Sequence, residues 1–122
     1  MIGPRILLVE DDPDNRRLLQ TMLLKLGCAV DAVADGESAL AALSGESYAC
    51  VLMDVQLPGI DGLEATRRLR ESGLTGLPVI AVTAHAMQGD RERCLKAGMN
   101  AYLTKPLTLE MLGKALREAG VG

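Results

Sequence analysis

Five short apolar runs punctuate the chain: RILLV at 5–9, AVDAV at 29–33, CVLM at 50–53, PVIAV at 78–82 and AYL at 101–103. Continuous apolar runs of this length suit strands buried on both faces of a parallel sheet, whereas AVDAV alternates, as a strand nearer an edge does. The stretches between them read as helices. Asp12 is placed to N-cap the first, Pro13 suits its first turn, Leu19, Met22, Leu23 and Leu26 recur at helical spacing, and Gly27 supplies the stop. Asp35 and Gly36 lead into a short helix with Leu40 and Leu43 inward, and residues 62–72 carry Leu63, Thr66 and Leu69 on one face. A fourth helix covers residues 90–97 and closes at Gly98. The last begins near Thr108 with Leu112, Ala115, Leu116 and Ala119 on one stripe.

Strands that alternate with helices through short loops require right-handed crossovers and a parallel sheet covered on both faces. Five such units in 122 residues predict an α/β, flavodoxin-like doubly wound sheet of order 2-1-3-4-5. They fall far short of the about 250 residues of an eight-stranded barrel. The length also predicts a single domain over residues 1–122.

Composition removes several function classes. A net charge of −3, with signs mixed along the chain, lacks the basic face that pairs with nucleic-acid phosphates, and two tyrosines make no stacking platform. No apolar stretch approaches the roughly 20 residues needed to span a bilayer, and MIGPR has no apolar signal region behind it, so a cytoplasmic location is expected. Cys28, Cys50 and Cys94 are odd in number and far apart, which predicts reduced, buried packing residues rather than disulfides or a zinc site.

In an open parallel sheet the ligand site lies beyond the carboxyl ends of the strands. Glu10, Asp11 and Asp12 follow the first run, Asp54 the third, Thr83 and Ala84 the fourth, and Thr104, Lys105 and Pro106 the fifth. Carboxylates brought within about 4 Å repel by several kcal/mol per pair even at an effective dielectric near 20, so such a cluster wants a cation. Mg²⁺, or Mn²⁺ as another hard ion, takes oxygen ligands and keeps several waters. Asp11, Asp54 and a backbone carbonyl such as that of Gln56 would suffice. Lys105 and Thr83 then remain on the far side of Asp54. Cation, lysine and hydroxyl around one carboxylate form a receptor for a phosphoryl group, with Asp54 as nucleophile.

The stretches "ILLVEDD", "MDVQLPGIDGLEATRRLR", "PVIAVTA" and "AGMNAYLTKP", in this order, resemble the response-regulator receiver domains of two-component signalling over essentially the whole chain. The stretch "TAHAMQGDRERCLKAGMNAYLTKPL" is most similar to receivers attached to hybrid histidine kinases. The resemblance implies that Glu10 and Asp11 are the acidic metal pair, Asp54 the phosphoacceptor, Thr83 the switch hydroxyl, Tyr102 the switch aromatic and Lys105 the phosphate-pairing lysine. It also implies a cis bond before Pro106, and tuning of phosphoryl lifetime by Gln56 and His85. A histidine kinase or histidine phosphotransfer protein would be the donor. Such a domain is a signalling module rather than an enzyme acting on other substrates. Phosphorylation is expected to draw Thr83 toward Asp54 and let Tyr102 turn inward, remodelling the face of the last two helices.

Glu10 departs from the aspartate common at its position, and its longer arm allows contact with a metal through water. Taken singly, Asp12 and Asp61 read as helix caps, His85 as a solvated loop residue, Tyr102 as packing and Lys105 as a surface charge. A haloacid-dehalogenase-type phosphatase would share the strand-end aspartate and Mg²⁺, but it needs a second aspartate where this chain has Gln56. Nucleotide binding is disfavoured because acid, not G-x-G-x-x-G, follows the first run.

Overall fold

In the computed structural model, which describes residues 3–84 and 86–121, every apolar run forms a strand and every intervening stretch a helix. The order is β1 (Arg5–Val9), α1 (Pro13–Lys25), β2 (Ala29–Val33), α2 (Gly36–Gly45), β3 (Cys50–Asp54), α3 (Gly62–Glu71), β4 (Val79–Thr83), α4 (Asp90–Ala97), β5 (Ala101–Thr104) and α5 (Leu109–Glu118). All strand pairs are parallel and the sheet order is 2-1-3-4-5. Among the described residues no helix is long and apolar enough to cross a membrane.

The period-2 alternation of the strands sorts their side chains onto two faces. Ile6, Leu8, Cys50, Leu52, Ile80 and Val82 meet Leu19, Met22 and Leu23 of α1 and Leu112, Ala115 and Leu116 of α5. Leu7, Val9, Val51, Met53, Val79 and Ala81 meet Ala39 and Leu43 of α2, Ala65 and Leu69 of α3, and Cys94 of α4. The middle of each inner strand is apolar because both of its faces are covered. Cys28, Cys50 and Cys94 are buried free thiols, and burial pushes the Cys50 thiol up to about 12.

Four of the five helices start at a side-chain cap. Asp12, Asp35, Asp61 and Thr108 accept from the backbone N–H of Asp14, Ser38, Glu64 and Met111 respectively. Asp12 and Asp61 are thus helix caps, as their isolated reading has it. The peptide bond between Lys105 and Pro106 is cis, in line with the expectation.

Several boundaries differ from the sequence reading. Asp54, Thr83 and Thr104 are the last residues of their strands rather than the first beyond them, and Pro78 stands before β4. Ladder hydrogen bonds such as Val55 N–H to the Val82 carbonyl, 3.2 Å, carry the pairing past the point where apolar side chains stop. Proline has no N–H to contribute. Ser72 is the C-cap of α3 rather than its last residue, and Leu26, the C-cap of α1, is exposed rather than core.

Candidate metal centre

The carboxyl ends of β1, β3 and β5 bring three acids and one base together. Glu10 directly follows β1, Asp54 ends β3 and Lys105 directly follows β5. Glu10 and Asp54 are 1% and 8% exposed, so both charges sit where unpaired carboxylates are disfavoured. Asp11 is exposed at the mouth, and one carboxylate oxygen from each of Glu10, Asp11 and Asp54 lies within 4.8 Å of the others. Oxygen-only donors at this spacing fit a hard divalent ion such as Mg²⁺.

Every buried carboxylate oxygen has a partner. Lys105 Nζ donates to Glu10 Oε1 and, at 3.2 Å, to Asp54 Oδ2. The backbone N–H of Asp12 donates to Glu10 Oε2 at 3.2 Å, and that of Gln56 to Asp54 Oδ1 at 3.0 Å. Burial pushes the Glu10 carboxyl above its ordinary range, and the Asp54 carboxylate adds to this against the pull of Lys105. For Lys105 burial works in the opposite direction, but the two carboxylates outweigh it and hold the ammonium in its charged form.

Local structure fixes these positions. Arg16, in the first turns of α1, donates to the Glu10 carbonyl at 3.0 Å and ties the acidic loop to the helix. The Lys105 backbone N–H donates to the Thr83 carbonyl at 2.8 Å, holding the lysine beside the end of β4. Gly62, first residue of α3, lies against the strand end. A Cβ there would stand 2.3 Å from the Asp54 carbonyl oxygen and 3.0 Å from the Val55 Cα, so only glycine lets α3 start this close. Arg16 and Gly62 were not singled out in the sequence. A glycine following a capping aspartate was the one available sign for the second, and nothing local marked the first.

Thr83 is buried at the end of β4, one strand over from Asp54, in register with Thr104 of β5. Tyr102 packs, half-buried, against the α2–α3–α4 face of the sheet. Its hydroxyl is buried and has no hydrogen-bond partner among the described residues. Gln56 is exposed, and its contact with Asp54 runs through the main chain. His85 lies outside the described residues. The structure therefore brings Glu10, Asp11, Asp54 and Lys105 into one cleft, with the Gln56 main chain and Thr83 on its edge and Tyr102 a strand further out.

Comparison with known proteins gives this cleft a context. The sequence model of the response regulator receiver domain matches residues 6–117. The chain is 43% identical over 118 residues to the sensor protein GacS of Pseudomonas syringae pv. syringae, covering 93% of this chain and 13% of that protein. It is 46% identical over 111 residues to the sensor histidine kinase RcsC of Salmonella typhimurium, covering 91% of this chain and 12% of that protein. The chain thus spans about an eighth of the length of these curated relatives. Among solved structures, the receiver domain of sensor histidine kinase PA1611 from Pseudomonas aeruginosa PAO1 superposes with a TM-score of 0.89 at 46% identity. The match covers 97% of this chain and 98% of that one, and that structure holds a magnesium ion coordinated in its active site cleft. Full-length ShkA in complex with AMPPNP matches with a TM-score of 0.88 and 48% identity over 98% of this chain and 24% of that one.

Proposed function

The chain belongs to the response regulator receiver domain family of two-component signalling, and from that membership we propose that Asp54 is the phosphoacceptor of a Mg²⁺-dependent transfer. The observation that carries the reading is the convergence of Glu10, Asp11, Asp54 and Lys105 on one cleft at the strand ends. Asp11, Asp54 and the Gln56 main-chain carbonyl would hold the ion, with Glu10 beside them. The magnesium in the cleft of the PA1611 receiver supports that choice, and Mn²⁺ offers the same hard-ion chemistry. Bound there, the ion supplies charge neutralisation for the phosphoryl oxygens.

The chain's own residues do the rest. The Asp54 carboxylate attacks the phosphorus of a phosphohistidine, forming a P–O bond as the P–N bond breaks, and the imidazole nitrogen leaves with the electron pair, its charge balanced by the proton on the other ring nitrogen. Lys105 moves from its two carboxylates onto a phosphoryl oxygen, and the Thr83 hydroxyl receives another, so each developing charge meets a preplaced donor. Tyr102 then settles further inward and the α4–β5–α5 face changes shape. The donor is a histidine kinase or histidine phosphotransfer protein, in keeping with the sensor kinases among the relatives.

Intact-protein mass after incubation with acetyl phosphate and Mg²⁺ tests the proposal. One phosphoryl adduct is expected, absent from Asp54→Asn and after chelation. An adduct that persists in Asp54→Asn, or a chain that takes up neither phosphoryl nor beryllofluoride, would overturn it.

A further inference from the structure

Away from the cleft, Arg70 near the end of α3 spends all five of its N–H donors on groups of other elements. Nη1 donates to the carbonyls of Leu74 and Leu77, each at 2.6 Å, in the connection leading to β4. Nε and Nη2 donate to the Gly98 carbonyl at 3.0 and 2.7 Å, and Nη2 also to Asn100 Oδ1 at 2.9 Å. Asn100 extends the clamp: its Oδ1 accepts from the Val79 N–H at 2.8 Å and its own N–H donates to the Val79 carbonyl at 2.8 Å. Gly98, the C-cap of α4 at φ +110°, fits closely under the arginine, since a Cβ there would be 2.9 Å from Arg70 Cγ. One side chain thus ties the carboxyl end of α4 and the approach to β5 to α3 and the first residue of β4.

The other end of α4 is held differently. Its N-cap is Gly89, at φ +84° and without a side-chain cap. Among the described residues, the bonds that close this end run between the loop and the first residue of the helix: Met87 N–H to Asp90 Oδ2 at 2.8 Å and Asp90 N–H to the Met87 carbonyl at 3.0 Å. Met87 itself is 67% exposed. This loop leads directly from Thr83, at the end of β4, into α4.

We propose that Arg70 is a positioning residue that makes the carboxyl end of α4 a fixed pivot, so that a change at the Thr83 end of β4 is delivered as a swing of the amino end of α4. The proposal rests on the phosphoacceptor reading for its trigger, and on the Arg70 contacts for its geometry. A hinge needs one end that stays while the other moves, and the asymmetry of fastening supplies both.

Amide chemical shifts and hydrogen exchange on the full chain, with and without beryllofluoride and Mg²⁺, test it. In the wild type, shifts should change across residues 86–93 and stay nearly fixed at Val79, Met99 and Asn100. Arg70→Lys, which keeps the charge but cannot bridge, and Arg70→Gln should still bind beryllofluoride within about threefold of wild type, because the site lies elsewhere. In both, exchange at Val79, Met99 and Asn100 should quicken at least about tenfold, as loss of several part-buried charge-assisted bonds at once requires, and ligand-induced shifts should spread to those residues. Equal wild-type shifts at both ends of α4, or unaltered exchange in both variants, would overturn the pivot. Absence of any beryllofluoride binding in the wild type would overturn the phosphoacceptor reading instead, and the exchange rates of the variants would still decide the clamp.

Discussion

Glu10 carries its charge at 1% exposure, where burial and the neighbouring Asp54 favour protonation and Lys105, with the Asp12 N–H, opposes them. Metal binding needs the carboxylate form, so Mg²⁺ competes with a proton held more tightly than on an ordinary glutamate. As pH falls, Mg²⁺ affinity should therefore begin to drop above the usual glutamate value of 4.5, and calorimetric titration across pH should show the bend. In Glu10→Gln that bend should vanish. Both ends of the Glu10–Lys105 pair were legible as strand-end residues. Their contact was not, because the reach of a side chain across the cleft depends on where the two loops finish, and local sequence does not encode that.

At the level of elements, the start of α3 sets the acceptor's position. Gly62→Ala forces a Cβ onto the Asp54 carbonyl, and should destabilise by about 1–3 kcal/mol as overpacked sites do while also lowering Mg²⁺ affinity. Asp61→Ala removes only the cap to Glu64 and should cost about 1 kcal/mol in urea unfolding with Mg²⁺ affinity unchanged. The pair separates packing at the strand end from simple helix capping. The alternation of elements and the four capped starts were readable in the sequence, since caps and periodicity are local chemistry. The strand ends were placed one residue early at Asp54 and Thr83 because apolar patterning registers side chains, while pairing is decided by main-chain bonds. Arg70 was passed over for a related reason: its partners Leu74, Leu77 and Gly98 offer main-chain carbonyls, which look the same in any sequence.

Across the whole molecule, one sheet separates two apolar layers that share its strands. Leu23→Ala, under α1, and Leu69→Ala, under α3, should each cost about 2–5 kcal/mol. Being on opposite sides, they should add to within about 0.5 kcal/mol in the double variant. Circular dichroism and the fluorescence of Tyr48 and Tyr102, both packed on the α2–α3–α4 side, should nonetheless unfold together, because neither layer persists without the common strands. The three cysteines are distributed over these layers, Cys28 and Cys50 in one and Cys94 in the other. With none of them accessible as a thiolate, alkylating reagents see the native chain as thiol-free. A cysteine introduced at the exposed position of Met87 would then be the one residue to react in native buffer, giving a single-site label at the amino end of α4 with every natural cysteine left in place.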